Sequence, residues 1–291
     1  MQTGAQSMVN PIKHILLKRP EQAFRNQTHI DREWQAYNYT AAPNYQKASE
    51  EYEAFEQLIR KHVPHVHLLP ESEHTGLDSI YTHDSVKFTH LGALLLSPGK
   101  TARAKEPEAI QRFLEQKKIP ILGSLTGSAR AEGGDIVWLD EQTVAIGRGY
   151  RTNQEGIAQL QTLLQDIVRE IIIVDLPHAD GADECLHLMS IISMVDHDLA
   201  VVYSRYMTVT FRKWLVEKGI TLIEVDDEEY ETLGSNLLAI APRKCVILAG
   251  NSRTKAKLEA AGATVIEYSG AEISYKGTGG PTCLTCPILR V

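Results

Sequence analysis

Long apolar runs are missing from this chain of 291 residues: none approaches the ~18 residues needed to span a bilayer as a helix. Cysteine is scarce as well, with four in the whole sequence, so the fold must rest on a hydrophobic core and not on covalent staples. Positive charge is in deficit. Against 37 Asp and Glu stand 30 Lys and Arg, a formal net charge of −7, which disfavours nucleic acid and anionic membrane as partners and leaves small cations open. Residues 1–8 carry neither the basic start nor the apolar centre of a secretory signal, so a cytoplasmic protein with reduced thiols is expected.

What is present is a repeat. A short apolar strand, a polar or arginine-bearing connection, an amphipathic helix and a second apolar strand recur five times. First strands are expected at 14–17, 93–96, 143–146, 199–202 and 245–248, and second strands at 66–69, 119–122, 171–174, 220–225 and 263–266. Between them, apolar residues at helical spacing (Tyr52, Phe55, Leu58 and Ile59; Ile157, Leu160, Leu163 and Leu164) give each unit one face to bury, and Gly219 and Gly262 are placed to end the last two helices. Units that cannot build a core alone imply a closed ring or a solenoid within a single α/β domain over 1–291, with residues 1–10 as a flexible tail. The first unit carries an insertion at 27–46, rich in Tyr and Asn without a clear period, which reads as a long loop able to act as a lid.

Polar clusters fall between the repeats: Asp78 and His83-Asp84, Glu132-Gly-Gly-Asp135, His187-Leu-Met189, Gly234-Ser-Asn236, and Cys283. In a pseudo-symmetric ring, equivalent positions converge on the axis, so these distant segments would meet in one pocket. Cys283 follows Gly279-Gly-Pro-Thr and can be read as a nucleophile, as half of a CxxC metal or redox pair with Cys286, or as a small buried apolar residue. His187 is either structural or the proton carrier that a cysteine nucleophile needs. The Glu132–Asp135 run is either a solvated turn or a place where backbone and carboxylate approach a ligand. Arg103 and Arg151 occupy equivalent places in their units, where a guanidinium fork suits capture of a carboxylate. His62, His65 and His67 lack the accompanying carboxylates of a metal site, and no metal is expected there.

Taken together these motifs resemble the guanidino-modifying superfamily of arginine deiminases, amidinotransferases and dimethylarginine dimethylaminohydrolases, over nearly the whole chain. The resemblance implies a five-bladed pseudo-symmetric αβ propeller of ββαβ-type repeats around a central active site. Gly279-Gly-Pro-Thr-Cys-Leu-Thr-Cys-Pro287 is similar to the superfamily's nucleophile loop, which assigns the attack to Cys283 and not Cys286. Glu132 to Asp135 is similar to its acidic motif, and His187-Leu-Met-Ser190 and Arg151-Thr-Asn-Gln154 to motifs of the dimethylarginine hydrolases. By the same resemblance Asp78, Asp84 and Asp135 bind substrate, Arg103 and Arg151 take its carboxylate, and Cys283, His187 and Glu132 are catalytic. Two departures stand out. His83 replaces the Arg or Glu of relatives, implying an altered outer pocket, and Met189 replaces the second guanidinium-binding aspartate of deiminases and amidinotransferases. The implied partner is a small cationic guanidino compound, no metal or organic cofactor is required, and a homodimer is among the states allowed. The implied reaction is hydrolysis of N-methylated arginine through a covalent Cys283 intermediate. A deiminase, an amidinotransferase and a non-catalytic binder of arginine-like ligands are the alternatives.

Overall fold

The computed structural model describes residues 1–291 as five three-stranded sheets. Each sheet has a middle strand paired antiparallel to an inner neighbour and parallel to an outer one. The inner, middle and outer strands are Val86–Thr89, Gly92–Leu95 and Ile121–Ser124 in one blade. The following blades use Ile136–Asp140, Thr143–Arg148 and Glu170–Asp175, then Ile192–Asp196, Leu199–Val202 and Thr221–Glu224, then Leu238–Ala241, Lys244–Leu248 and Thr264–Tyr268. The remaining blade joins the two ends of the chain, since Ile12–Leu17 pairs with His65–Leu68 on one side and with the C-terminal strand Cys286–Arg290 on the other.

Packing closes these blades into a ring. Apolar residues form five clusters, and each mixes side chains from two neighbouring blades. Leu16 and Ile288 meet Val86 and Phe88; Leu94 meets Ile136 and Val144; Val137 meets Ile192; Val195 and Val201 meet Ile247; and Val246 and Leu248 return to Ile15 and Leu17. Five interfaces for five blades leave no open edge, which is the pseudo-fivefold propeller that the repeat implied.

Between each middle and outer strand runs a helix whose ends are fixed locally. Asn44 caps Tyr45–His62 by accepting from the Lys47 amide, and its last turn carries Arg60, Lys61 and His62 against the helix dipole. Asn153 caps Gln154–Leu164 in the same way. Gly219 and Gly262 follow Val209–Glu217 and Ser252–Ala260 at φ +78° and +83°, a conformation that favours glycine.

Three expectations need correction. Repeat analysis found the middle and outer strands and missed the inner ones, because strands buried on both faces, such as Val86–Thr89 and Leu238–Ala241, are short and lack a polar–apolar alternation. The 27–46 insertion is not a structureless loop: Asn26 caps a helix at Gln27–Glu33, and the following turn buries Tyr37 and Tyr39. Nor are the first ten residues a free tail. Gly4 exchanges hydrogen bonds with Ile288 and Arg290, the Ala5 amide bonds to the Phe88 carbonyl, and Thr3, Ser7 and Val9 are buried. This segment crosses two inner strands and covers one end of the axis. Deleting residues 1–9 removes three backbone hydrogen bonds at about 1 kcal/mol each and a buried valine worth about 1.5 kcal/mol or more. Thermal unfolding should show a midpoint lower by roughly 8 °C or more; an unchanged midpoint would contradict the packing described.

Candidate active site

Each polar cluster sits just ahead of an inner strand, at the end of the axis opposite the N-terminal cover, and each is hydrogen-bonded to the next. The His83 amide donates to the Cys283 carbonyl at 3.3 Å, and the Gly133 amide to the Asp84 carbonyl at 3.0 Å. Asp84 accepts from the Gly134 amide at 3.1 Å, and Asp135 accepts from the Leu188 amide at 2.9 Å. Ser235 donates to the Ser190 carbonyl at 2.6 Å. Asn236 accepts from the Thr282 amide and donates to Cys283 Sγ at 3.5 Å, which returns the cycle to its start. The glycines make this crowding feasible through their lack of a side chain. A Cβ on Gly133 would lie 2.0 Å from the His83 carbonyl oxygen, on Gly134 2.5 Å from His187 Nδ1, and on Gly280 2.4 Å from Asn236 Oδ1. The two glycines of Glu132–Asp135 therefore serve the approach of neighbouring loops.

Cys283, His187, Met189, Asn236 and Lys100 line a pocket of about 260 Å³, and Asp180, Asp183, Glu184 and Glu231 add acidic side chains to its wall. Asn38, from the 27–46 insertion, lies on the same wall and donates to the Asp183 carbonyl. Depressions of about 350 and 400 Å³ elsewhere hold no comparable cluster of reactive groups. Below the pocket, Glu132 is fully buried and bonds His187 Nε2 at 2.5 Å while accepting from the Gly99 amide. His187 is lifted well above its ordinary range: burial opposes the charge, and Cys185, Asp84 and Glu132 overcome that opposition. Burial pushes the Cys283 thiol up to about 12, with the Asp84 charge adding to the effect and His187 opposing it. The surroundings therefore favour a neutral thiol on Cys283 and a protonated imidazole on His187.

Several assigned residues are already engaged. Arg103 is buried with every nitrogen committed: to Glu106 by two bonds of 2.9 Å, to Asp84 at 2.7 Å, and to the Asp78 and Tyr81 carbonyls. It braces the site, with its charge already matched by Asp84 and Glu106. Asp78 is held by Lys100 at 2.8 Å. Arg151 differs, since its Nη1 has no hydrogen-bond partner and lies 3.6 Å from Glu132. Asp135 is buried between the Thr152 hydroxyl and the Leu188 amide, so it positions the His187 turn and does not face the pocket. His83 also turns away from the pocket: Nδ1 bonds the Thr285 carbonyl and Nε2 accepts from Lys87, leaving the rim that it was expected to alter untouched.

Cys185 was missed by sequence reading. Its sulfur lies 3.8 Å from His187 Nδ1 in the same pocket, and its place two residues before the histidine is the only signal the sequence offers. Asp84, Glu132 and His187 place one ligand atom each within 4.8 Å of one another, enough for a cation by geometry alone. Arg103 on Asp84 and the Glu132–His187 pair already neutralise that donor set. His14 Nδ1 and His67 Nε2 lie 3.0 Å apart in direct contact, while His62 bonds Lys244, so the sequence's histidine run is not gathered around a common centre.

Burial raises the Asp135 carboxyl to about 6, against the opposing influence of His187, Thr152 and the Leu188 amide. A carboxyl raised in the folded state favours its protonated form, so its contribution is complete below its ordinary range and is lost as pH rises through about 6. Asp135→Asn keeps an acceptor for Leu188 without the charge. The variant should gain on the wild type as pH rises from 4 to 7, by roughly 3 kcal/mol at most, measured as paired unfolding free energies. A difference that stays flat across that range would contradict the assignment.

Comparison with known proteins agrees with this arrangement. Residues 19–290 match the family model described as N,N dimethylarginine dimethylhydrolase, eukaryotic. An uncharacterized protein, YkgA, of Bacillus subtilis is 29% identical over 244 residues, 84% of this chain and 80% of its own length. An arginine deiminase of Mycobacterium marinum is 30% identical over 72% of this chain, which spans only 60% of that relative. Among solved structures, the dimethylarginine dimethylaminohydrolase of Pseudomonas aeruginosa in complex with citrulline superposes with a TM-score of 0.77 at 24% identity, covering 95% of this chain and 99% of its own. No helix is long and apolar enough to cross a membrane. With the family model matched over residues 19–290, four blades entire and every loop of the site, the chain belongs to the dimethylarginine dimethylaminohydrolase family of guanidino-modifying proteins.

Proposed function

We propose that the protein hydrolyses the guanidinium group of an N-methylated arginine to a ureido product and an alkylamine, through a covalent intermediate on Cys283. The observation that carries this reading is the shared pocket: the Cys283 thiol and the imidazolium of His187 line one cavity whose wall is rich in carboxylates and whose apolar side is Met189. The acidic wall draws in a cation. Once seated, the guanidinium brings positive charge to the thiol and favours its ionisation, the proton leaving to solvent. The thiolate attacks the guanidinium carbon, and His187 gives its proton to the departing amine, leaving an alkylthiouronium on sulfur. Neutral His187 then takes a proton from water, hydroxide adds to the same carbon, and the C–S bond breaks as the added hydroxyl's proton passes to the departing sulfur, which releases the ureido product and restores the thiol. Glu132 holds the imidazole in place throughout. Arg151, whose Nη1 makes no hydrogen bond although it lies 3.6 Å from Glu132, is the cation assigned to the substrate carboxylate.

The deiminase relative from Mycobacterium marinum favours a second reading, in which unmethylated arginine is the substrate. Met189 separates the two. An aspartate there would pair with the terminal N–H groups, and a methylated nitrogen would leave it buried without a partner; methionine removes that penalty and packs against methyl groups. Wild-type kcat/KM should favour N-methylated arginine, and Met189→Asp should shift the preference toward arginine by about tenfold. A wild type that converts arginine at least as well decides for the second reading.

The two cysteines of the loop should also behave differently. Cys283→Ser is expected to lower turnover by more than about a thousandfold, because serine is far less acidic and the site holds no base to ionise it. Cys286 is buried, bonds the Val86 carbonyl and faces away from the pocket, so Cys286→Ser should keep most of the activity. Equal losses in steady-state assays would instead support a joint CxxC function.

A further inference from the structure

At the opposite end of the axis, behind the nucleophile loop, lies a second and much smaller cavity of about 20 Å³. Its wall includes Lys87, Arg290, Trp138, Ser7, Thr282 and Cys286, and no acidic side chain. Lys87 and Arg290 are 5% and 6% exposed, and neither has an ion pair. Lys87 Nζ donates once, to His83 Nε2, and so keeps two N–H groups without an acceptor. Arg290 makes one side-chain hydrogen bond, from Nη1 to the Asn10 carbonyl. Trp138, 2% exposed, has an indole N–H with no partner. The Ser7 oxygen accepts from the Val9 and Asn10 amides, leaving its own proton free.

Unmet donors and two buried cations therefore line one small recess that no carboxylate enters. A water molecule could take up some of those donors, yet it would leave two charges in the interior without a counterion, at a cost that buried charges do not ordinarily bear. Asp84, the carboxylate that acts on Lys87, is spent on Arg103 and the Gly134 amide. The volume admits about one water-sized sphere, which excludes sulfate, phosphate and carboxylates. We infer that this cavity is a binding site for a monatomic anion of the halide class, with chloride as the occupant in ordinary buffers. The anion neutralises Lys87 and Arg290 and braces the loop through Thr282 and Cys286, on either side of Cys283. The N-terminal segment supplies Ser7 and closes the cavity from outside.

Two measurements on the full chain test this. Crystals grown with bromide should show an anomalous scattering peak inside the cavity, in contact with Lys87, Arg290 and Trp138; an empty cavity there would overturn the inference. In solution, at constant ionic strength, chloride or bromide should raise the unfolding midpoint saturably over gluconate, which is too large to enter. Identical curves in chloride and gluconate would also overturn it. Trp138→Phe keeps the ring and deletes the donor, and should weaken halide binding by about tenfold. Lys87→Met should abolish the chloride response, and the Trp138→Phe titration stands on its own should the lysine variant not fold. A Trp138→Phe protein with unaltered halide affinity would remove this donor, and with it the site as described.

Discussion

A closed cycle of hydrogen bonds between five loops is the constraint on which the site depends. Cys283 is tied to His83 and Asn236, Asp84 to Gly133 and Gly134, Asp135 to Leu188, and Ser190 to Ser235. The cycle exists because each loop runs directly into an inner strand, and the inner strands are locked by apolar clusters shared between neighbouring blades. A displaced blade would break two links at once, so Cys283 and His187, which lie far apart in sequence, keep their relation through the whole ring. The joining of chain ends in one blade adds to this, since the strand that follows Cys283 pairs with the first strand of the protein.

Charge is arranged within that frame so that the resting site is nearly neutral in pairs. Asp84 is matched with Arg103, Glu132 with His187, and Asp78 with Lys100. In the proposed reaction a cationic substrate entering along the acidic wall competes for these carboxylates, and the His187 imidazolium is the partner that surrenders its charge. Coupling of proton transfer to charge exchange follows: as His187 becomes neutral, Glu132 is left with negative charge beside the cationic carbon.

Much of this was legible in the sequence. Middle and outer strands showed as short aliphatic runs around helical periodicity, and the polar clusters announced the loops. Inner strands did not show, because strands such as Leu238–Ala241 carry no alternation once both faces are buried. The sequence placed the polar residues in the site loops but carried no information on side-chain direction. His83 and Asp135 sit in site loops yet point into the protein, and Arg103 is wrapped by Glu106, a partner one helical turn away whose grip only coordinates reveal. Cys185 was not picked out because a lone thiol beside an acidic stretch carries only its place two residues before His187 as a signal, although it lies against that ring. The small cavity on the axis was equally hidden, since Lys87, Trp138 and Arg290 belong to three different blades.

The central claim is that Cys283 forms a covalent bond to the guanidinium carbon. It is tested most directly by acid-quenching the protein during turnover of N-methylated arginine and mapping the modified peptide by mass spectrometry. The account predicts that the C-terminal peptide carries the substrate minus its departing amine, attached at Cys283, and that the adduct disappears as substrate is exhausted. Turnover without any adduct when chemistry is sampled at its fastest quench, or an adduct on Cys185 or Cys286 with Cys283 unmodified, would contradict it.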